Sequence, residues 1–205
     1  GGADTDRILY NNVAGILDTT SVTATTAQAG HIDAPGVTSA LHSQLVAFSG
    51  IEDVTANANV GEDEKLTVNL RDTGSPDTAN LLFAPAAGAD DLQLVGLFDL
   101  VIDTDNYVGL TLNGRGGDDA FNITPGPIPV FVDGGDPIGV TAGDAINFNV
   151  TGDYALEPGP EGDEGGLIAD GAQRISWDHI EASSVTGGGG GGGGEGTFLG
   201  TNGDD

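Results

Sequence analysis

The chain consists largely of short runs in which apolar and polar residues alternate, separated by turns rich in glycine and aspartate. In residues 145–150, for example, Ile146, Phe148 and Val150 alternate with other residues. Successive residues of a β-strand point to opposite sides of the sheet, so this period of two places the three apolar side chains on one face. Similar runs flank the turn at residues 114–119. The pattern therefore predicts many short strands.

The composition argues against a helical fold and leaves two β architectures open. The 205 residues include 36 glycines and 9 prolines, and only 5% are aromatic. Few windows of about twelve residues lack glycine, proline or a β-branched run, so long helices are not expected. We predict an all-β fold. Short strands that each follow a Gly/Asp turn fit a β-solenoid, and they also fit a β-sandwich.

The charge of the chain is strongly negative. There are 32 acidic residues against 5 basic ones, which gives a formal net charge of −27. So few lysines and arginines cannot build the basic surface that nucleic-acid binding needs, and this excludes a nucleic acid as a partner. Repulsion between the carboxylates opposes compaction unless high salt screens it or divalent cations neutralise it. A solvated acidic surface suited to high salt remains the alternative to bound cations.

The residues that are missing also limit the function. The sequence has no cysteine, which excludes disulfides, thiolate metal sites and cysteine catalysis. It has no methionine, no signal peptide and no apolar run long enough to cross a membrane. We interpret the chain as a fragment, or one repeat window, of an extracellular or cell-surface protein.

Landmarks in the sequence recur at a long interval. Residues 48–54 resemble residues 176–182, and their glutamates, Glu52 and Glu181, are 129 positions apart. We therefore predict a repeat unit of about 129 residues. Residues 1–75 would be the C-terminal part of one unit, and residues 76–205 would be a second unit that ends at the start of the next.

One segment is predicted to be irregular. Residues 156–166 contain two prolines, four glycines and four acidic residues. Clusters of these residue types favour turns and loops. We predict a solvated loop over this segment.

The turn at residues 114–122 carries the most specific motif. It fits the nonapeptide G-G-x-G-x-D-x-U-x at every fixed position except the second, where Arg115 replaces glycine. A second copy begins at residues 200–205, and residues 1–9 resemble it more loosely. These segments resemble the hemolysin-type (RTX) calcium-binding repeat. The longer pattern over residues 105–205 looks like the repeat unit of very large surface proteins of planctomycetes and cyanobacteria.

The resemblance implies calcium sites at glycine-rich turns. In that family, aspartate carboxylates and backbone carbonyls of a β-roll hold the ion. It assigns Asp119 and Asp205 to the liganding position, with Asp118 and Asp204 beside them and Asp6 in the N-terminal copy. Because the motifs here are isolated rather than tandem, we expect individual Ca²⁺ sites in an irregular solenoid. The candidate ligands are Asp4, Asp6, Asp118, Asp119, Asp133, Asp136, Asp144, Asp204 and Asp205.

The chemistry of the residues supports this assignment without requiring it. Calcium takes six to eight oxygen ligands from carboxylates, carbonyls and water, and glycine turns expose their carbonyls. Asp133, Asp136 and Asp144 lie in such turns. Aspartate and glycine are also the commonest turn residues, and many turns that contain them hold no ion. Both interpretations remain open at this stage.

We expect no catalytic activity. The three histidines show no metal-ligand spacing, and His179 is expected to have a packing or surface role. No serine-hydrolase or phosphate-binding motif is present. A β-helical polysaccharide lyase or hydrolase is a third possibility, but a lyase would need basic residues clustered at a groove.

The sequence thus predicts a structural protein. We expect a calcium-stabilised element of an extracellular fibre, stalk or surface layer. Its expected partners are other copies or tandem repeats of itself, with cell-surface glycans as a further candidate. A monomeric calcium-binding adhesion module is the alternative.

Overall fold

The structure, a computed structural model, describes residues 7–11, 19–26, 29–35, 43–49, 53–57, 64–72, 74–83, 92–95, 99–102, 107–136, 143–187 and 196–199. In these residues the chain forms 18 strands and no helix. The strands are β1 (Arg7–Asn11), β2 (Thr19–Thr26), β3 (Ala29–Pro35), β4 (Ser43–Ser49), β5 (Asp53–Asn57), β6 (Glu64–Asn69), β7 (Thr78–Phe83), β8 (Leu92–Val95), β9 (Asp99–Ile102), β10 (Tyr107–Asn113), β11 (Ala120–Ile123), β12 (Val130–Asp133), β13 (Ala145–Val150), β14 (Tyr154–Pro158), β15 (Gly165–Ala169), β16 (Ile175–Asp178), β17 (Ala182–Gly187) and β18 (Gly196–Leu199).

The strands form two sheets, neither of which is closed. Sheet A has the order β1-β5-β9-β8-β7-β11-β13-β17-β18, and sheet B has the order β14-β15-β16-β12-β10-β6-β2-β3-β4. From β9 to β13, consecutive strands alternate between the sheets. Two parallel pairs, β10 with β12 and β11 with β13, are two strands apart in sequence. The other parallel pairs, such as β6 with β10 and β13 with β17, are four strands apart, because a three-stranded antiparallel meander is inserted between the partners.

The parallel strands are aligned so that similar residues stack. In sheet B, one inward-facing row consists of Leu66, Leu110, Val130 and Ile175, and the next consists of Val68, Leu112, Val132 and Trp177. In sheet A, the matching row consists of Leu81, Ile123, Phe148 and Val185. All of these side chains belong to one hydrophobic core. Phe148 and Trp177 join the two sheets across it, with ring centroids 5.4 Å apart.

A row of polar side chains on the other face of sheet A fixes the same alignment. Asn122 Nδ2 donates a hydrogen bond to Asn80 Oδ1 at 2.8 Å, and Asn147 Nδ2 donates to Asn122 Oδ1 at 3.1 Å. Ser184 Oγ then donates to Asn147 Oδ1 at 2.5 Å. A shift of one residue would move these side chains to the core face, so the row and the core specify one register.

The strand pairing near the start of the chain recurs farther along. Strands β1 and β5 pair in parallel, as β13 and β17 do. Between them, β2, β3 and β4 form an antiparallel meander, as β14, β15 and β16 do. The two segments share this pairing, but the first meander joins the rest of sheet B through its first strand, β2, and the second through its last strand, β16.

The prediction of an all-β fold is confirmed. The prediction of a loop over residues 156–166 is wrong at both ends, because β14 and β15 pair there as an antiparallel hairpin. Leu156 packs against the core and pairs with the buried Leu167. A few apolar residues that reach the core thus outweigh the local preference of glycine and proline for turns.

The core makes a first prediction. Leu112→Ala should lower the free energy of unfolding by about 2–5 kcal/mol, because it removes a fully buried side chain between two packed strands. Thr111→Ala is the matched control, since Thr111 is the preceding residue and faces away from the core. Urea denaturation of both variants measures the difference. Equal losses would contradict the assignment of the inward face.

Candidate functional site

Four connections between sheet B and sheet A lie at the same edge of the molecule. They join Asn69 to Thr78, Asn113 to Ala120, Asp133 to Ala145 and Asp178 to Ala182, and the residues at both ends are aligned in the parallel ladders. In every connection, the last residue before the strand of sheet A is acidic. We call these four residues the acidic row: Asp77, Asp119, Asp144 and Glu181.

The acidic row is joined by hydrogen bonds from backbone to side chain. The N–H of Asp77 donates to Asp119 Oδ1 at 2.7 Å, and the N–H of Asp119 donates to Asp144 Oδ1 at 2.6 Å. The N–H of Asp144 donates to Glu181 Oε2 at 2.6 Å. Each carboxylate thus satisfies a backbone donor of the connection before it. The row therefore continues the sheet ladder beyond the strands.

The carboxylate of Asp77 is neutralised by the guanidinium of Arg71. Arg71 Nε donates to Asp77 Oδ1 at 2.6 Å, a second guanidinium nitrogen contacts the same oxygen, and the Arg71 N–H donates to Asp77 Oδ2 at 3.0 Å. The side chain of Asp77 is fully buried. The bond to Asp77 raises the pKa of Arg71. Both oxygens of Asp77 therefore have partners.

Asp119 and Asp144 each leave one buried oxygen without a hydrogen-bond partner. These residues are 1% and 0% exposed, and their Oδ2 atoms have no donor within reach. Burial is the main reason why the pKa of Asp119 is raised to about 6 and that of Asp144 to about 7. The charge of Asp77 adds to the first shift, and the charges of Asp119 and Glu181 add to the second. An unpaired buried carboxylate is costly, so this part of the row needs a positive partner.

Two glycines bring backbone carbonyls close to these unpartnered oxygens. A Cβ atom on Gly114 would lie 2.8 Å from Asp119 Oδ2, and closer still to the carbonyl oxygen of Gly134. A Cβ atom on Gly134 would lie 2.6 Å from Asp144 Oδ2, and closer still to the carbonyl oxygen of His179. In both places a carboxylate oxygen and a carbonyl oxygen lie within 3 Å of the position that a Cβ atom would take. Both are acceptors, and only glycine leaves room for them.

This donor set fits a calcium ion. Carboxylate and carbonyl oxygens are the ligands that Ca²⁺ prefers, and one of each lies beside Gly114 and one of each beside Gly134. Within the described ranges, no group of three or more histidine, cysteine or acidic side chains forms a metal site. An ion held in this row would therefore depend on backbone carbonyls for much of its coordination.

The other predicted ligands have different surroundings. Asp118 and Asp136 are exposed. Asp133 Oδ1 lies 2.9 Å from His179 Nδ1, and this contact raises the pKa of His179, with smaller contributions from Asp178 and Asp163. Four predicted ligands lie outside the described residues: Asp4, Asp6, Asp204 and Asp205. Sequence reasoning did not identify Asp77, Glu181 or Arg71 as site residues, and Glu181 was noted only as a landmark of the long repeat. Their alignment with the motif follows from the strand register.

Arg115, the residue that departs from the nonapeptide, adopts the backbone conformation of a glycine. Its φ is 76°, and the aligned residue in the next connection, Gly135, has a φ of 94°. The carbonyl of Arg115 accepts a hydrogen bond from the N–H of Asp136 at 2.6 Å. The arginine thus preserves the shape of the turn at the cost of backbone strain.

No family model, curated protein or solved structure matches this chain. In the part of the chain that the structure describes, no helix has the length and apolarity needed to cross a membrane.

The raised pKa values predict how stability depends on pH when no metal is bound. An unfolded aspartate titrates near pH 3.9, so the folded state binds more protons than the unfolded state between about pH 4 and 7. Stability should therefore fall as pH rises through this range. With a chelator present, the melting temperature should be roughly 5–10 °C higher at pH 5 than at pH 8. Thermal unfolding followed by circular dichroism measures this.

Two variants show which carboxyl groups cause this pH dependence of stability. The double variant Asp119→Asn/Asp144→Asn should lose most of it and keep only the part from His179, whose raised pKa acts in the same direction. Asp170→Asn, a change of the same type at an exposed aspartate, should keep it fully. If the double variant keeps the full dependence, these carboxyls are not its source.

The strain at Arg115 makes a separate prediction. Arg115→Gly should stabilise the protein by about 0.5–1 kcal/mol, because the relief of the positive φ exceeds the added entropy of the unfolded chain. Gly135→Ala should have the opposite sign, since its Cβ would meet the backbone of Arg115. Urea denaturation measures both variants. Destabilisation by Arg115→Gly would show that the arginine side chain contributes more than the strain costs.

Proposed function

We propose that this protein is a calcium-stabilised structural element of an extracellular fibre, stalk or surface layer, built as a β-solenoid. One observation carries the proposal. Asp119 and Asp144, at equal positions in successive connections, each have a buried oxygen without a partner beside a backbone carbonyl. A divalent cation is the partner that suits two acceptors of this kind.

The strand order supports the solenoid. Alternation between two sheets, with parallel pairing to a strand two or four places along, fits a chain that winds in successive coils, some of which carry an antiparallel meander. Each coil would then contribute to both sheets, and four of the connections between the sheets form the acidic row. The recurring pairing of β1–β5 and β13–β17 supports a longer repeat on top of the coil. In such a stack, each coil is stabilised by its contacts with the coils on either side.

The carboxylates of Asp119 and Asp144 and the carbonyls of Gly134 and His179 would hold the ion. Bound Ca²⁺ supplies positive charge that these acceptors otherwise lack. The chain's own contribution is to align them: the ladders set their spacing, the glycines admit the carbonyls, and the N–H bonds orient the carboxylates. Because the ligands are distant in the unfolded chain, ion binding favours the folded state.

The composition supports an extracellular location and a structural role. A chain of charge −27 without cysteine gains most from divalent cations where they are abundant. Sites with few carboxylates bind Ca²⁺ at the 10⁻⁴–10⁻³ M concentrations typical of extracellular modules. Self-association would extend the sheets at their ends, where β1 and β18 bound sheet A and β4 and β14 bound sheet B. Cell-surface glycans are a further proposed partner.

One feature favours the alternative of a monomeric adhesion module. Strand β14, at one end of sheet B, contains Pro158, which has no N–H to donate to another strand. Glu157 on the same strand forms an exposed ion pair with Arg174, at 2.5 Å. Proline and charged residues are devices that protect an edge from further pairing. Sedimentation in Ca²⁺ separates the two roles, since a fibre subunit grows in mass and a module does not.

Calcium addition tests the proposed function. At pH 8, saturating Ca²⁺ should raise the melting temperature by about 5–10 °C relative to chelator, from an ion bound only by the folded state. The double variant Asp119→Asn/Asp144→Asn should lose this response and be more stable in chelator, because each amide supplies an N–H beside the facing carbonyl. Asp170→Asn should respond like the wild type. If wild type and double variant respond equally to Ca²⁺, the ion binds elsewhere and the assignment to the acidic row fails.

A further inference from the structure

The four connections can be compared position by position, because the strands that precede them are aligned. Asn69, Asn113, Asp133 and Asp178 occupy one row. The residue after each is Leu70, Gly114, Gly134 or His179, and the next is Arg71, Arg115, Gly135 or Ile180. The N–H groups of Leu70, Gly114 and Gly134 make the same bond to the neighbouring strand end. The first connection thus has the same backbone start as the next two, with different side chains.

The residues that begin each connection correlate with whether the buried carboxylate of that connection has partners for both of its oxygens. Where the connection begins with glycine, the buried carboxylate of the acidic row has an unpartnered oxygen, as in Asp119 and Asp144. Where it begins with Leu70 and Arg71, the carboxylate of Asp77 is bonded at both oxygens. Leu70 is itself buried in the core. The carboxylate of Asp77 is neutralised by a side chain of the protein, and those of Asp119 and Asp144 are not.

From this contrast we infer that Arg71 is a built-in counter-ion, which takes the place of a bound cation and ends the run of ion sites at Asp77. The inference rests on the proposed function, since it assigns ions to the glycine connections. The guanidinium supplies several donors in a fixed plane, always charged, so it can serve a buried carboxylate as a divalent ion would. Calcium would then occupy the row only beyond Asp77, toward Asp119 and Asp144.

Arg115 shows that an arginine in the sequence is not sufficient for this role. It is aligned with Arg71, yet its side chain is exposed and its φ is positive. Its backbone carbonyl is bonded to Asp136, and the Oδ2 of Asp119 remains unpartnered. Arg115 therefore does not supply a partner to the buried oxygen of Asp119. The connection with Leu70-Arg71 therefore needs no bound cation, whereas the connection with Gly114-Arg115 still has an unpartnered carboxylate oxygen that a cation could bind.

Removal of the counter-ion tests the inference. Arg71→Gln should bind about one more Ca²⁺ per chain than the wild type, because Asp77 then needs an external cation. Its melting temperature should also rise more on addition of Ca²⁺ than that of the wild type. Arg174→Gln is the matched control, since it removes an exposed arginine–carboxylate pair. Isothermal titration calorimetry with CaCl₂, with native mass spectrometry in Ca²⁺, measures the number of ions.

A second variant controls for the possibility that Arg71→Gln fails to fold. Arg71→Gln/Asp77→Asn removes both charges, so it should fold without Ca²⁺ and return to the wild-type number of ions. If wild type binds Ca²⁺ and Arg71→Gln binds the same number, the role of Arg71 is wrong while the proposed function stands. Failure of Arg71→Gln to fold even in saturating Ca²⁺ would also contradict it, because calcium should substitute for the guanidinium. Absence of Ca²⁺ binding by the wild type would overturn the proposed function itself.

Discussion

Stacking in register is the constraint on which the rest of this structure depends. Parallel strands lie about 4.8 Å apart, so any residue that recurs at one position of successive parallel strands becomes part of a row of close neighbours. For apolar residues this builds the core, as in the row of Leu66, Leu110, Val130 and Ile175. For the asparagines on sheet A it builds a chain of hydrogen bonds. For acidic residues it builds a row of like charges, which the fold must then neutralise.

The acidic row meets that demand in two ways. Backbone N–H groups bond one oxygen of Asp119, Asp144 and Glu181, which supports the ladder but leaves the charges in place. At Asp77 the guanidinium of Arg71 completes the balance. At Asp119 and Asp144 the second oxygen faces a carbonyl, and burial raises both pKa values. Either a proton or a metal ion can satisfy such a site, and the two differ in how stability responds to pH and to calcium.

The sequence was sufficient for the fold class and for part of the site. Alternation in residues 145–150 identified a strand, and the motif at residues 114–122 led to Asp119. Asp77 and Glu181 could not be found in this way, because the connections before the sheet A strands differ in length and only the strand register aligns them. Arg71 was missed because its partner, the buried Asp77, lies six residues along the chain on the far side of an exposed turn. The hairpin at β14 and β15 was missed because its few core contacts outweigh its turn-forming composition.

An anomalous-difference map from a crystal grown in Ca²⁺ at pH 8 decides whether calcium or protons hold the acidic row. If calcium holds it, we expect a calcium peak in contact with the Oδ2 atoms of Asp119 and Asp144 and with the carbonyl oxygens of Gly134 and His179. We expect no peak at Asp77, which Arg71 neutralises. The contradictory result is an absence of density beside Asp119 and Asp144, with each Oδ2 at about 2.5–3.0 Å from its carbonyl, the distance of an O–H hydrogen bond. The carboxyls would then be protonated, and the row would be held by protons rather than by calcium.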